Sequence, residues 1–300
     1  MDEDVRVVLP ESRSSDSHES SHLLLADVRN AGAGAVDNEA DQLSEQLNML
    51  GFDGKDTDYN LMAAKSPTIR YLLCLDIEAN FTGKLPFTKE DHEVIELPCV
   101  LVDIYEGKVI DEFHTFVKPT RNPSIYKHCT EFTGITQEQV DKAPTFSDAI
   151  LMLDEFIKSH MDRLKPTPRI GAMPAKGWPP KESKNYAWVT DGRADIERFL
   201  CLKSCKINGV RLPDYMQGRY IDLKLLYKQH FHERYYRKMS DMLATWKLDF
   251  DGRVHSGLDD ARQVARIMLL MLSRENILLE CNRTVYMTQN YSFVARQLRN

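Results

Sequence analysis

The chain is poor in the features that mark secreted, membrane-spanning or zinc-built proteins. It has six cysteines in 300 residues: Cys74, Cys99, Cys129, Cys201, Cys205 and Cys281. They are sparse and mostly set in apolar runs, which predicts reduced, buried thiols and no disulfide framework. Cys201 and Cys205 of "CLKSC" could join His230 and His232 of "HFH" at a zinc ion, but two thiols one helical turn apart is the simpler reading. Long hydrophobic runs are missing too: "IMLLML" at 267–272 is far too short to cross a bilayer, so no membrane partner is expected. The N-terminus, "MDEDVRVVLPES", has no apolar core and so no secretory signal, and the expected compartment is the cytoplasm and/or nucleus. Basic charge is scarce only in the first 65 residues. The net charge is -6, with 14 acidic against 5 basic residues in 1–65 and 31 against 34 in the rest. An acidic tail on a slightly basic body leaves a nucleic-acid partner open without arguing for one.

The organisation along the chain is legible from periodicity. Residues 1–65 read as a mostly disordered acidic region with one short helix, "ADQLSEQLNMLGF", in which Leu43, Leu47 and Leu50 keep helical spacing before Gly51. An α/β domain is expected over 66–280, and a C-terminal extension over 281–300. In the domain, "RYLLCLDIEA", "IELPCVLVDIY" and "KVIDEFHTFVKP" read as strands, the last two a hairpin through Glu106–Gly107. "TQEQV" offers Thr136 and Gln139 as a capping box, and an amphipathic helix is expected from about Ser147 to Leu164. Residues 165–184 hold five prolines and read as a loop carrying Trp178. "NYAWVT" is a strand and "ADIERFLCLKSC" a helix. "LKLLYKQHFHERYYRKM" and "SDMLATWKL" are two more helices, and "LDDARQVARIMLLMLSRE" is a long final one with Leu258, Val264, Ile267, Met268 and Met271 inward. Strands in a meander followed by mixed strands and helices make a layered α/β domain.

Within "YLLCLDIEAN" two acids, Asp76 and Glu78, stand in an otherwise apolar strand. Residues two apart on a strand share a face, so two carboxylates would lie side by side where charge is unfavourable. Asp195 in "TDGRADIERFL" and Asp260 in "HSGLDDA" each begin a helix, where an acid is comfortable as a cap or against the helix dipole. Gathered at one end of a sheet, four carboxylates would need cations among them. Hard oxygen donors suit Mg²⁺, with Mn²⁺ able to substitute. Two such ions suit in-line attack of water on a phosphodiester, and His255, five residues before Asp260, can take the water's proton.

"LDIEA", "ADIERFL" and "HSGLDDA", in that order, resemble the three motifs of the DEDDh 3′→5′ exonucleases. "GITQEQVDKAPTF" and "LDFDGRVHSGLDDARQVARI" resemble the branch that contains the 3′ histone mRNA exonuclease, also called enhanced-RNA-interference exonuclease. The likeness runs from about Tyr71 to Arg274. It implies an RNase H-like fold, a mixed sheet flanked by helices. It implies a metal-dependent 3′→5′ exoribonuclease that acts on RNA with a free 3′ end in processing, decay or small-RNA turnover, and releases nucleoside 5′-monophosphates. Asp76 would bridge two metal ions, Glu78 and Asp260 would complete the water-activating site, and Asp195 would hold the second ion. His255 would be the general base. Glu78, Ala79 and His255 would border the 3′-terminal nucleotide.

Asp191 of "VTDGRAD" rivals Asp195, which is preferred because "DIERFL" follows it; Asp259 reads as a cap. The chain departs from the family where the first motif continues as "EANFTG" in place of Ala-Thr-Cys, so Asn80 and Phe81 would border the nucleotide with altered chemistry. A catalytically inactive scaffold of the same fold, or the same chemistry on DNA, are the alternatives. In 224–239, Lys224, Lys228, Arg234, Arg237 and Lys238 alternate with Tyr227, Phe231, Tyr235 and Tyr236. The expectation is an amphipathic helix with its aromatics inward; the other reading is a surface that grips phosphates and stacks a base. His92, His114 and His128 read as ordinary strand or loop histidines.

Overall fold

A computed structural model describes residues 65–66, 68–81, 92–164, 184–275, 277–287 and 293–298. The helix expected around Leu43–Leu50, the N-terminal tail and most of the Pro-rich stretch with Trp178 lie outside the described residues.

β1 (Tyr71–Leu75) and β2 (Glu78–Ala79) are one strand interrupted at Asp76–Ile77. Both pair antiparallel with the same edge of β3 (Val94–Asp103), and β4 (Lys108–Phe116) pairs with the other edge. The hairpin turn is where Glu106–Gly107 placed it. β1 then pairs parallel with β5 (Tyr186–Thr190), and β5 parallel with β6 (Gly218–Asp222). β7 (Arg283–Met287) and β8 (Phe293–Gln297) continue the sheet antiparallel beyond β6. The stretch expected as a C-terminal extension therefore supplies strands to the same eight-stranded sheet. It is tied in by Asp222, whose carboxylate accepts from Arg283 Nε at 2.5 Å, while its backbone N–H donates to Asn282 Oδ1 at 2.8 Å.

Helices follow in chain order. They are α1 (Lys127–Thr133), α2 (Gln137–Asp141), α3 (Phe146–Ser159), α4 (Met161–Leu164), α5 (Ala194–Cys205), α6 (Lys206–Asn208), α7 (Leu223–His230), α8 (Met239–Ala244) and α9 (Gly257–Arg274). The Thr136–Gln139 capping box opens α2. The helix expected over 147–164 stops at His160 and restarts as α4; His160 Nε2 sits 2.8 Å from Asp111. α5 is wound with wide π-type turns, an uncommon helix form that often accompanies functional sites.

Strand alternation sorts the core into two layers. Leu72, Cys74, Val100 and Val102 face the layer of α7 and α9, where Val264, Ile267, Met268 and Met271 are buried. Leu73, Leu75, Cys99 and Leu101 face the layer of α3 and α5, with Leu153, Ile157 and Leu200. Cys201 and Cys205 are buried in this second layer, whereas His230, on α7, is paired with Glu275. The sheet separates the thiols from that histidine, so they form no zinc site with it.

The helix expected through 224–239 ends at His230. Phe231 turns inward, its ring 4.5 Å from Tyr227 and 6.1 Å from Trp246, and His232 takes a left-handed conformation. Tyr235 and Tyr236 are left outside, 68% and 53% exposed. Only half of the aromatic stripe is therefore core. The left-handed turn breaks the 3.6-residue period that would have carried the two tyrosines inward.

Candidate active site

The parallel strands end level with one another: Leu75 pairs with Thr190, and Thr190 with Asp222. The next residues, Asp76 and Asp191, therefore leave the sheet side by side, with Lys224 one position beyond the start of α7. Open α/β sheets place their ligand sites at this edge. A cleft of about 630 Å³ opens there, walled by Asp76, Glu78, Ala79, Asp191, Asp195, His255 and Asp260, with Phe81, Phe132, Phe199 and Met239 as apolar surface.

α5 carries Asp195 into the break between β1 and β2. Its carboxylate Oδ1 accepts from the Ile77 N–H at 3.3 Å, so the acid helps hold the interruption that separates Asp76 from Glu78. α9 carries Asp260 in its first turn, and Asp260 Oδ2 accepts from the His255 N–H at 2.8 Å. His255 sits at φ 66°, and its ring lies on Phe132 with centroids 3.6 Å apart at 24°. Ligand-capable atoms of Glu78, His255 and Asp260 all lie within 4.8 Å of one another.

This clustering is electrostatically costly. Burial, reinforced by Asp195, Asp191, Asp260 and Glu78, holds Asp76 well above the ordinary carboxylate range. Burial, then the charges of Glu96 and Asp260, pushes Glu78 up to about 9. Asp195 and Asp260 are each raised to about 7, mainly by burial. His255 is shifted the other way: burial, then the charges of Lys238, Arg253 and Lys224, hold it below 6.5 and so neutral at pH 7. Among the described residues, the buried oxygens Asp260 Oδ1 and Asp191 Oδ1 have no hydrogen-bond partner. A buried carboxylate oxygen without a donor is expensive, and a divalent cation is the partner such an oxygen suits. The donor set therefore fits the metal that the sequence implied.

Of the rivals, Asp195 braces the strand break, while Asp191 is tied through Oδ2 to the Lys224 ammonium and turns its other oxygen into the cleft wall. Asp259 points away, accepting from the Arg253 N–H at 2.9 Å and from Arg262 at 3.1 Å. Asn80 does not border the cleft as expected. It is buried, donating to the carbonyls of Asn122 and Ser124 and accepting from the Tyr126 N–H, so it fastens the 122–126 loop; Phe81 alone reaches the wall. His92 also lines the cleft, and His128 packs edge-on against Phe81 from α1.

Sequence reasoning passed over Glu96. It pairs across from Glu78, is 3% exposed, and accepts from the Gly257 N–H at 2.9 Å, the Leu258 N–H at 3.4 Å and His114 Nε2 at 2.8 Å. It thus anchors the N-terminus of α9, complementing the helix dipole between His255 and Asp260. Gly257 is required there: a Cβ would stand 2.8 Å from the Asp76 carbonyl and 3.1 Å from the Glu96 carboxylate. The signal was present in "VIELP", a lone acid in an apolar strand like Asp76. Phe132 had no such signal, being one aromatic in a short helix.

An interrupted central strand, an acid-lined cleft at the ends of parallel strands and an imidazole beside it define a hydrolase site of the RNase H-like architecture, with donors that suit a divalent metal. The sequence profile of the exonuclease family, RNase T, matches residues 73–165. The chain is 41% identical over 217 residues to the 3′-5′ exonuclease eri1 of Schizosaccharomyces pombe, covering 72% of each chain. It is 32% identical to the 3′-5′ exonuclease Snipper of Drosophila melanogaster, over 79% of this chain and 86% of that one. The solved nuclease domain of 3′hExo, a DEDDh family member bound to rAMP, superposes with a TM-score of 0.60 at 28% identity, covering 72% of this chain and 98% of that domain. The chain belongs to the ERI1-like DEDDh 3′-5′ exonucleases, a metal-dependent family. Among the described residues no helix is long and apolar enough to cross a membrane.

Proposed function

We propose that the chain is a 3′→5′ exoribonuclease that removes nucleoside 5′-monophosphates from RNA, with Asp76, Glu78, Asp195 and Asp260 holding two Mg²⁺ ions that Mn²⁺ can replace. The observation that carries this reading is the meeting of Glu78, His255 and Asp260 within 4.8 Å, next to a partnerless buried Asp260 oxygen. When bound, the ions supply charge that offsets the carboxylates, polarise the scissile phosphate and acidify a water.

The chain's own groups do the rest. His255 is neutral at pH 7 and can accept the water's proton at a ring nitrogen. Its ring is held by Phe132 and its backbone by Asp260, so the base is positioned before substrate arrives. Glu78 and Ala79 line the cleft beside Phe81 and Phe132, and their backbone would receive the terminal nucleotide. Lys224, bound to Asp191, is a cation at the same edge and tempers the repulsion among the acids.

RNA is favoured over DNA by the relatives. One is the 3′-5′ exoribonuclease 1 of Rattus norvegicus, 30% identical over 67% of this chain and 53% of its own length. Another is a 3′-exonuclease solved in specific recognition of a histone mRNA stem-loop, at 27% identity and TM-score 0.60. The test is digestion of 3′-labelled RNA and matched DNA by the wild type and Asp76→Asn, with and without Mg²⁺. We expect Mg²⁺-dependent shortening of RNA by the wild type and none by the variant, whose fold is retained. Equal digestion by Asp76→Asn would sink the assignment, and faster digestion of DNA would move the substrate.

A further inference from the structure

We propose that the loop 231–238, with Lys228 beneath it, is a landing surface for the single-stranded RNA that trails behind the 3′-terminal nucleotide. The inference rests on the exonuclease reading and extends the same site outward. The loop is built to hold its shape. Its root is the inward Phe231, packed on Tyr227 and Trp246, and the turn is closed by the Glu233 N–H donating to the Lys228 carbonyl at 2.9 Å. From this anchored root Tyr235 and Tyr236 project outward, and at 68% Tyr235 is the most exposed large hydrophobic side chain among the described residues. Two adjacent exposed rings offer flat faces on which nucleobases can stack.

Each ring already has a cation beside it. The Arg234 guanidinium lies 5.2 Å from the Tyr235 centroid, and Lys228 Nζ lies 5.1 Å from that of Tyr236. Residues 228–238, "KQHFHERYYRK", hold four basic groups against one acid on a chain whose net charge is -6. The acid, Glu233, is matched to Arg237 at 2.8 Å. Phosphates meeting the cations and bases stacking on the rings is the pairing used by surfaces that bind single strands without reading their sequence.

The loop also leads into the active site. Lys238, Met239 and Ser240 line the cleft, and the charge of Lys238 is felt by His255. Tyr236 is two residues from Lys238, so its Cα is at most about 7 Å farther out, close enough for one continuous strand to touch both.

The test compares the wild type, Tyr235→Ala/Tyr236→Ala and Tyr235→Phe/Tyr236→Phe on RNAs of 3 and 12 nucleotides that share a 3′ end. Both rings are surface groups, so the variants are expected to melt with the wild type. The alanine pair should raise KM on the 12-mer about tenfold with kcat unchanged, leave the 3-mer unaffected, and be rescued by the phenylalanine pair. Fluorescence anisotropy with the labelled 12-mer in EDTA should show the same loss of affinity, and it reads the surface without turnover. An unchanged 12-mer KM and affinity, or equal losses on both lengths, would overturn the proposal. If the wild type digests neither RNA, the nuclease reading fails by itself, and the anisotropy result still decides for or against the surface.

Discussion

Replacing Glu78 by Gln should make the metal-free protein more stable while removing its activity. Glu78 is buried, and its pKa rises from 4.5 to about 9 because burial and the charges of Glu96 and Asp260 oppose ionisation. Between those two values the folded protein keeps a proton that the unfolded chain has released. Stability therefore falls as pH rises through the window, and the change stops above the folded-state value. At pH 7 the loss is about 3 kcal/mol, at 1.36 kcal/mol per pH unit above the unfolded value. Gln keeps the shape and cannot ionise. In EDTA at pH 7 the variant should melt about 6–12 °C above the wild type, and at pH 5 the gap should shrink to about 1–3 °C. Adding Mg²⁺ should raise the wild-type Tm far more than the variant's, since bound metal stabilises only a chain that can hold it. Melting curves at pH 5, 7 and 8.5, with and without Mg²⁺, read all of this. A Glu78→Gln protein no more stable than wild type at pH 7–8.5 in EDTA, or a gap that does not widen with pH, would refute the reasoning.

Glu96→Ala should lower stability by about 2–3 kcal/mol, measured by urea unfolding, because the Gly257 and Leu258 N–H groups lose their acceptor; kcat should fall with it as α9 shifts. Gly134→Ala places a Cβ 1.2 Å from Arg253 Nη1 at φ +79°, so Arg253, two residues before His255, must move. A drop of at least about 1 kcal/mol in stability and a reduced kcat are expected. At saturating Mg²⁺, log kcat should fall with acid along one limb whose midpoint lies below pH 6.5, as His255 becomes protonated; a midpoint above pH 7 would exclude it as the base. Mg²⁺ affinity, followed by titration calorimetry, should increase between pH 6 and 9, because Glu78, Asp195 and Asp260 must release protons to bind metal.

Sequence alone was enough for the local elements and for the types of group at the site. Apolar alternation and turn residues placed β1, the β3–β4 hairpin and β5, because a strand's two faces and a tight turn leave marks within a few residues. The capping box at Thr136 and the periodicity of α9 were legible for the same reason. Asp76 and Glu78 stood out as acids in an apolar strand, whereas Asp195, His255 and Asp260 are unremarkable one by one and were picked out with the order of the three exonuclease-like motifs; all five line the cleft. Tertiary structure decided what depends on partners distant along the chain. Asp195 reaches the strand break while Asp191 is bound to Lys224, and nothing local separates two acids four residues apart. Glu96 matters because it meets a helix 161 residues later, and Asn80 left the site to bind carbonyls of the 122–126 loop. A left-handed turn at His232 put Tyr235 and Tyr236 outside, and pairing with β6 drew 283–297 into the sheet. Periodicity reports which side of an element is apolar. Where that element ends, and which buried charge it meets, is set by packing between residues that only the folded chain brings together.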